Sequence, residues 1–238
     1  MRQGSAPVMS VEVRDLLLVG AGGFAREAAE TIRAINASAP TWNLLGLLDD
    51  DPAKHGAVIA GLPVLGGVDA VHAHPYSQLL LCPGRPDNYV TRRLLVDRLG
   101  LSEERYATVV HPTAVVGTSC EIGVGSVLLA HVDMTADVVV GRHVVVMPQA
   151  VLTHDVRVDD WATVASGVRL GGGCHVETGA YLGSGTCVRE GITVGAWALI
   201  GMGSLVTRNV PPERLWFGAP ARDVSRAPLP TPKPKPKP

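Results

Sequence analysis

From Val110 onward the chain places an aliphatic residue at every sixth position without a break: Val110, Val116, Ile122, Leu128, Met134, Val140, Val146, Leu152, Val158, Val164, Leu170, Val176, Leu182, Val188, Val194, Ile200 and Val206. Four places after each comes a small or β-branched residue, as at Ala114, Cys120, Ser126, Val132, Ala150, Ala162, Ala180, Thr186, Ala198 and Ser204. Glycine often follows the aliphatic residue directly, at Gly117, Gly123, Gly141, Gly171, Gly183, Gly195 and Gly201. A period of six matches neither the 3.6-residue helix nor the two-residue alternation of a long strand. It matches a flat-sided coil in which each hexad supplies one short strand and one tight corner. The aliphatic side chain points inward, the small residue fits the corner, and glycine takes up backbone angles closed to other residues. Three hexads close one triangular coil and coils stack at about 4.7–4.9 Å, so the pattern predicts a three-sided parallel β-helix.

Upstream the pattern changes to strand and helix in alternation. Leu16-Leu17-Leu18-Val19 reads as a buried strand running into Gly20-Ala21-Gly22-Gly23-Phe24-Ala25, and an amphipathic helix follows through Arg26, Glu27, Ala28, Ala29, Ile32 and Ile35. A second strand, Leu44 to Leu48, ends at Asp49-Asp50-Asp51. A third, Gln78 to Cys82, ends at Pro83-Gly84-Arg85; a helix through Val90, Leu94, Leu95 and Val96 completes the unit, and Tyr106 to Val110 links it to the coils. Glycines let a backbone approach a phosphate, a helix N-terminus favours its charge, and an acid after the second strand accepts from ribose hydroxyls. Such turns also serve packing alone. The segment holds only half of a dinucleotide-binding fold, which argues against NAD.

Composition narrows the function. The 21 basic residues against 22 acidic give a net charge of −1, which leaves no electrostatic footprint for nucleic acid. A hydrophobic content of 46% is ample for a core, while 4% aromatics with 27 glycines and 18 prolines suits a solenoid. No apolar run approaches the ~18 residues of a membrane helix. Residues 1–10 lack the apolar stretch of a secretory leader, so a cytoplasmic protein with four cysteine thiols is expected. Cys120 and Cys174 share a corner three coils apart, about 14 Å, too far for a disulfide. No two prism histidines lie eighteen residues apart and none forms a close pair, so no metal is expected.

A Gly-rich α/β unit ahead of an unbroken hexapeptide prism resembles the bacterial sugar N- and O-acyltransferases of the bacillosamine and sialic-acid pathways, over residues 16–222. The likeness rests on Gly20, Gly22, Gly23, Asp49, Asp50 and Gly84 in the first unit. In the prism it rests on Leu152-Thr153-His154-Asp155, and near the end on Gly218-Ala219-Pro220-Ala221-Arg222. It implies a mainly β chain with a small Rossmann-like α/β domain at 16–105 that binds a nucleotide-linked amino sugar. A left-handed parallel β-helix at 106–222 then binds acetyl-CoA, and the assembly is a homotrimer with active sites in the clefts between prisms. A flexible N-terminus at 1–15 and a disordered Pro/Lys-rich tail at 223–238 complete the division, since alternating proline and lysine offers almost no apolar surface to pack.

The resemblance makes His154 the general base. An amine must lose a proton as it attacks a thioester, and imidazole chemistry suits that transfer at neutral pH. Asp155 would hold the ring. Gly172 lies eighteen residues on, hence one coil further along the same face, about 4.8 Å away, and its N–H is the expected oxyanion donor. The six residues of the first unit would hold the acceptor, and Thr163, Gly172, Pro220 and Arg222 the CoA. Thr163 stands where the family often has a second histidine, Met147-Pro148 where it often has Asn-Thr, and Asp155 where Glu is more usual. His131, His143 and His175 read as solvated and inert. The expected reaction is direct transfer of acetyl from acetyl-CoA to the amine of a nucleotide-linked amino sugar. Transfer to oxygen, a non-nucleotide acceptor, and a non-catalytic trimeric scaffold are the alternatives.

Overall fold

The structure, a computed structural model, describes residues 13–87 and 89–227. The first unit is a sheet of β1 (Arg14–Val19), β2 (Trp42–Leu48), β3 (Val58–Ile59), β4 (Leu62–Gly66) and β5 (Gln78–Leu81), in the order β3-β4-β2-β1-β5. All pairings are parallel except β3 with β4. The apolar residues of β1 are buried on both faces of the sheet, which accounts for the continuous Leu-Leu-Leu-Val run. Because the chain goes from β1 to β2 on one side and reaches β5 on the other, the strand order reverses at β1. The crevice beyond the carboxyl ends of β1 and β5 is where open α/β sheets take ligands.

Two helices flank this sheet. The first, α1 (Gly23–Ser38), buries Phe24, Ala25, Ala28, Ala29 and Ile32 along one stripe, as the 3.6-residue spacing requires, and stops before Pro40. The second, α2 (Thr91–Leu99), ends at Gly100 in the left-handed region, φ 58°. β3 and β4 were not legible in the sequence.

The second unit is the expected prism of seventeen two-residue strands, from Val109–Val110 to Leu205–Val206, each paired in parallel with a strand eighteen residues before or after it. The periodic aliphatic residues point inward, and from Leu128 to Val206 every one is buried. Corner geometry differs from the expectation for glycine. From Ile122 to Ile200 the left-handed conformation falls three places after each aliphatic residue, at Gly125, His131, Asp137, His143, Gln149, Asp155 and Trp161 and onward to Gly203. Glycines directly after the aliphatic residue serve close approach instead: a Cβ on Gly123 would lie 2.5 Å from the Gly141 carbonyl carbon, and one on Gly183 2.6 Å from Met202 N.

One face of the prism carries the small domain. Its outward residues Val109, Val127 and Val145, with Leu129, join Phe24, Ala25, Ala28 and Ile32 of α1 in a single buried cluster. Higher on the same face Tyr181 and Leu199 pack with Tyr89. Outward residues of the other two faces are exposed or half-buried, with Val115 62% and Val139 37% exposed. Two strands extend the docking face: Arg214–Gly218 pairs with Leu199–Ile200, and Ala221–Arg226 folds back antiparallel. Residues 223–227, expected to open a disordered tail, therefore belong to the folded unit. Arg214 pairs with Asp223 at 2.8 Å, and Ala227 is buried beside Tyr89. The sheet likewise starts at Arg14 and not at residue 16. The flexible terminus and Pro/Lys tail otherwise fall on residues 1–12 and 228–238, outside the described residues. No described helix is long and apolar enough to cross a membrane.

Candidate active site

Leu152 is the inward residue of the second face and Val158 that of the third, so Thr153 to Val156 turn the corner between them. His154 and Asp155 form its tip. Asp155 takes the left-handed conformation, φ 60°, and its N–H bonds the Ala136 carbonyl one coil below. His154 accepts at its own carbonyl from Gly173 N–H one coil above. Both side chains stand in the open, 68% and 67% exposed, with His154 Nδ1 2.7 Å from Asp155 Oδ2. An ionised carboxylate can only accept. In the neutral ring this places the proton on Nδ1 and leaves the lone pair on Nε2.

Gly172 is the coil neighbour of His154, as the eighteen-residue spacing predicts. The imidazole lies over it, so that any Cβ on Gly172 would collide with His154 Cε1 and Nε2. This gives the missing side chain a cause beyond the oxyanion role expected of its N–H. That N–H makes no hydrogen bond among the described residues.

The expected acceptor residues gather at the carboxyl ends of β1, β2 and β5. Gly20 needs its glycine, with φ 103°. Gly22 caps α1 with no side-chain hydrogen bond, nothing lies within 4 Å of where its Cβ would be, and the first turn from Gly23 holds no acid. These are the conditions under which a helix N-terminus receives an anion. Gly84 is buried, its absent Cβ 3.4 Å from Phe24 Cδ1, which brings the loop after β5 against the start of α1.

Asp49 and Asp50 are placed differently from free ribose acceptors. Asp49 Oδ2 takes the Ala21 N–H at 2.8 Å and Lys54 Nζ at 2.9 Å, bracing the Gly-rich turn from below. Burial alone would raise its carboxyl, but the bonds from Lys54, Asp51 N–H and Ala21 N–H outweigh that and hold it below the usual carboxylate range. Asp50 accepts from Val68 N–H and from Arg98, which also holds Asp69; burial is again outweighed and the carboxyl stays low. Lys54, at the edge of this crevice, was not singled out from the sequence. Its only signal was its place after the Asp run, where the short turn from Pro52 to Lys54 curls it back.

Thr163 is not open to CoA in this chain. It is fully buried under the small domain, where Oγ1 accepts from Arg92 Nη2 at 2.9 Å. His143 is not a solvated surface histidine either: it is 4% exposed, stacked on Trp161 with ring centroids 4.4 Å apart. Pro220 and Arg222 lie exposed on the terminal hairpin. By strand spacing the hairpin is roughly 14 Å along the prism from Thr163. Among the described residues no group of His, Cys, Asp or Glu is placed to hold a metal.

Comparison with known proteins assigns both units. Residues 15–79 match the PglD N-terminal domain and residues 137–172 the bacterial transferase hexapeptide with its six repeats. No curated protein matches the chain significantly. Among solved structures, a perosamine N-acetyltransferase from Caulobacter crescentus, crystallised with CoA and GDP-perosamine, is 28% identical over 91% of this chain and 99% of its own, with a TM-score of 0.77. The acetyltransferase domain of PglB from Neisseria gonorrhoeae is 25% identical over 89% of this chain and all of its own, also at 0.77. WeeI from Acinetobacter baumannii, 22% identical over 89% of this chain at 0.63, shares the fold. The first unit is thus similar to a PglD N-terminal domain and the prism to a bacterial transferase hexapeptide, and the two follow one another as in the sugar acetyltransferases that the chain resembles.

Proposed function

We propose that this protein transfers an acetyl group from acetyl-CoA to the amine of a nucleotide-linked amino sugar, with His154 as general base. The observation that carries the reading is the open imidazole at a prism corner, fixed by Asp155 and seated over Gly172, in a chain whose 28%-identical structural relative is a perosamine N-acetyltransferase. Acetyl-CoA supplies the activated acyl group as a thioester. As the amine nitrogen bonds to the carbonyl carbon the thioester C–S bond breaks and CoA leaves; the chain's own part is to orient the amine and to take its proton at His154 Nε2 for delivery to the departing thiolate, while Asp155 keeps Nδ1 protonated and stabilises the intervening imidazolium. Gly172 N–H is the donor for charge developing on the carbonyl oxygen. Pro220 and Arg222 are assigned to the CoA nucleotide. The Gly20 to Gly23 turn and the uncapped start of α1 are assigned to the acceptor's diphosphate, with Gly84 closing that crevice.

The reading includes a homotrimer, and one geometric relation supports it. His154 stands on the edge between the second and third faces, away from the face that carries its own small domain, so an acceptor held on that domain meets the imidazole of a neighbouring copy. The enzyme would work in the cytoplasm, the compartment that holds both substrates. The test is mass spectrometry of products after incubation with acetyl-CoA and a panel of aminosugar nucleotides. One product heavier by an acetyl group is expected, lost in His154→Ala by about 10²–10⁴-fold. No acetylated product from the panel, or undiminished turnover by the variant, overturns the reading.

A further inference from the structure

Arg92, in the first turn of α2, is the largest of the fully buried side chains, 1% exposed. Among the described residues it has no carboxylate partner. All its bonds go to neutral acceptors: Nη1 to the Pro83 carbonyl at 2.7 Å, Nε to the His143 carbonyl at 3.1 Å, and Nη2 to the Trp161 carbonyl at 2.6 Å, the Ala162 carbonyl at 3.1 Å and Thr163 Oγ1. Burial pushes the guanidinium down to about 10, and it remains a cation at neutral pH. A buried cation without a counter-charge is costly for stability, so its geometry calls for another account.

That geometry is specific. His143 and Trp161 are eighteen residues apart, so their carbonyls mark the two ends of one coil, and His154 belongs to that coil. The Pro83 carbonyl belongs to the loop that carries Gly84 at the acceptor crevice. A single planar group thus ties the acceptor loop to the coil that bears the proposed base, and Thr163, where a CoA-contacting histidine was expected by resemblance, serves as one of its acceptors.

We propose that Arg92 is a positioning residue for acyl transfer, fixing the Pro83-Gly84 loop relative to the prism so that the acceptor amine and thioester meet in register. The proposal rests on the acetyltransferase reading above. Lysine cannot reproduce a fork that reaches two elements at once, and a displacement of about 1 Å costs about 10²-fold in rate.

Steady-state kinetics of R92K and R92A with the acceptor found in the panel test this. R92K is expected to lose about 10²-fold in kcat/KM for the acceptor with the KM for acetyl-CoA changed less than about threefold. Low-millimolar guanidinium chloride is expected to restore part of the activity of R92A. Wild-type kinetics in R92K, equal losses for both substrates, or no rescue of a folded R92A would overturn the proposal. If the wild-type protein acetylates nothing, the functional reading fails separately. Amide exchange then still reads the tie, with faster exchange at residues 84–87 and around residue 143 expected in R92K, and unchanged exchange refuting it.

Discussion

The His154 imidazole occupies the space in which a side chain at Gly172 would begin. Gly172 does not need a left-handed backbone, since only its neighbour Gly173 is in that region, so alanine is allowed there by the main chain. Its methyl group must instead push the ring aside, and the exposed ring can give way outward at the expense of its bond to Asp155. Gly172→Ala is therefore expected to lower kcat at least tenfold with an unfolding midpoint close to that of the parent. Thermal denaturation alongside kinetics checks this, and a fully active variant would show that the seat of the ring does not matter.

Asp155 sets the tautomer of His154 across 2.7 Å. Asparagine at 155 can turn its amide to donate to Nδ1, which moves the ring proton to Nε2 and removes the lone pair proposed to accept from the amine. Asp155→Asn is expected to reduce kcat by about 10²-fold with little change in the KM for acetyl-CoA. Asp155→Ala, which leaves the ring free to choose its tautomer, should be less impaired. Equal losses in the two variants would argue that Asp155 acts through its charge alone.

The buried His143 gives stability a pH dependence with a definite sign. Its ring lies between Trp161 and Tyr106, and Nδ1 has no hydrogen-bond partner among the described residues. Burial first, then Arg92 and Arg142, hold it down to about 4, against the opposing pull of Asp160 and Glu103. The folded value lies below the ordinary one near 6.5, so as pH falls the unfolded chain takes up the proton first. Stability present above about 6.5 is lost between there and about 4, by up to about 3 kcal/mol. Denaturant unfolding at pH 7.5 and 5 should show this loss, and His143→Phe, which keeps a ring in the stack, should reduce it. An unchanged loss in the variant would place the titration elsewhere.

The prism was legible because an inward residue at every sixth place leaves a period that no helix or plain strand produces, and the eighteen-residue coil placed Gly172 beside His154 without coordinates. What the pattern hid were features decided by other chains of contacts. The corner residues at His143, Asp155 and Trp161 have no common side chain, because the left-handed conformation is imposed by the coil and tolerated at a modest cost. Arg92 looked like a polar position on an amphipathic helix, and its burial is decided only when the small domain docks. Asp49 and Asp50 were read as ligand acceptors because an acid after a second strand has that use. In the fold their nearest donors are Ala21 N–H, Lys54 and Arg98.

The last expectation concerns which copy of the chain does what. The small domain covers one prism face and His154 lies on the edge between the other two, so in the proposed trimer the acceptor and the base that cooperate belong to adjacent subunits. Gly22→Asp disables the acceptor side without strain. The backbone there is extended, φ −100°, nothing occupies the space of the new side chain, and Asp is a favoured N-cap whose carboxylate repels a phosphate. His154→Ala disables the base. Each variant alone is expected to be nearly inactive. In trimers refolded from an equal mixture, an intact crevice faces an intact imidazole at about one interface in four, so about a quarter of wild-type activity should return. If both parts worked within one subunit, every mixed trimer would contain only broken sites and the mixture would stay inactive.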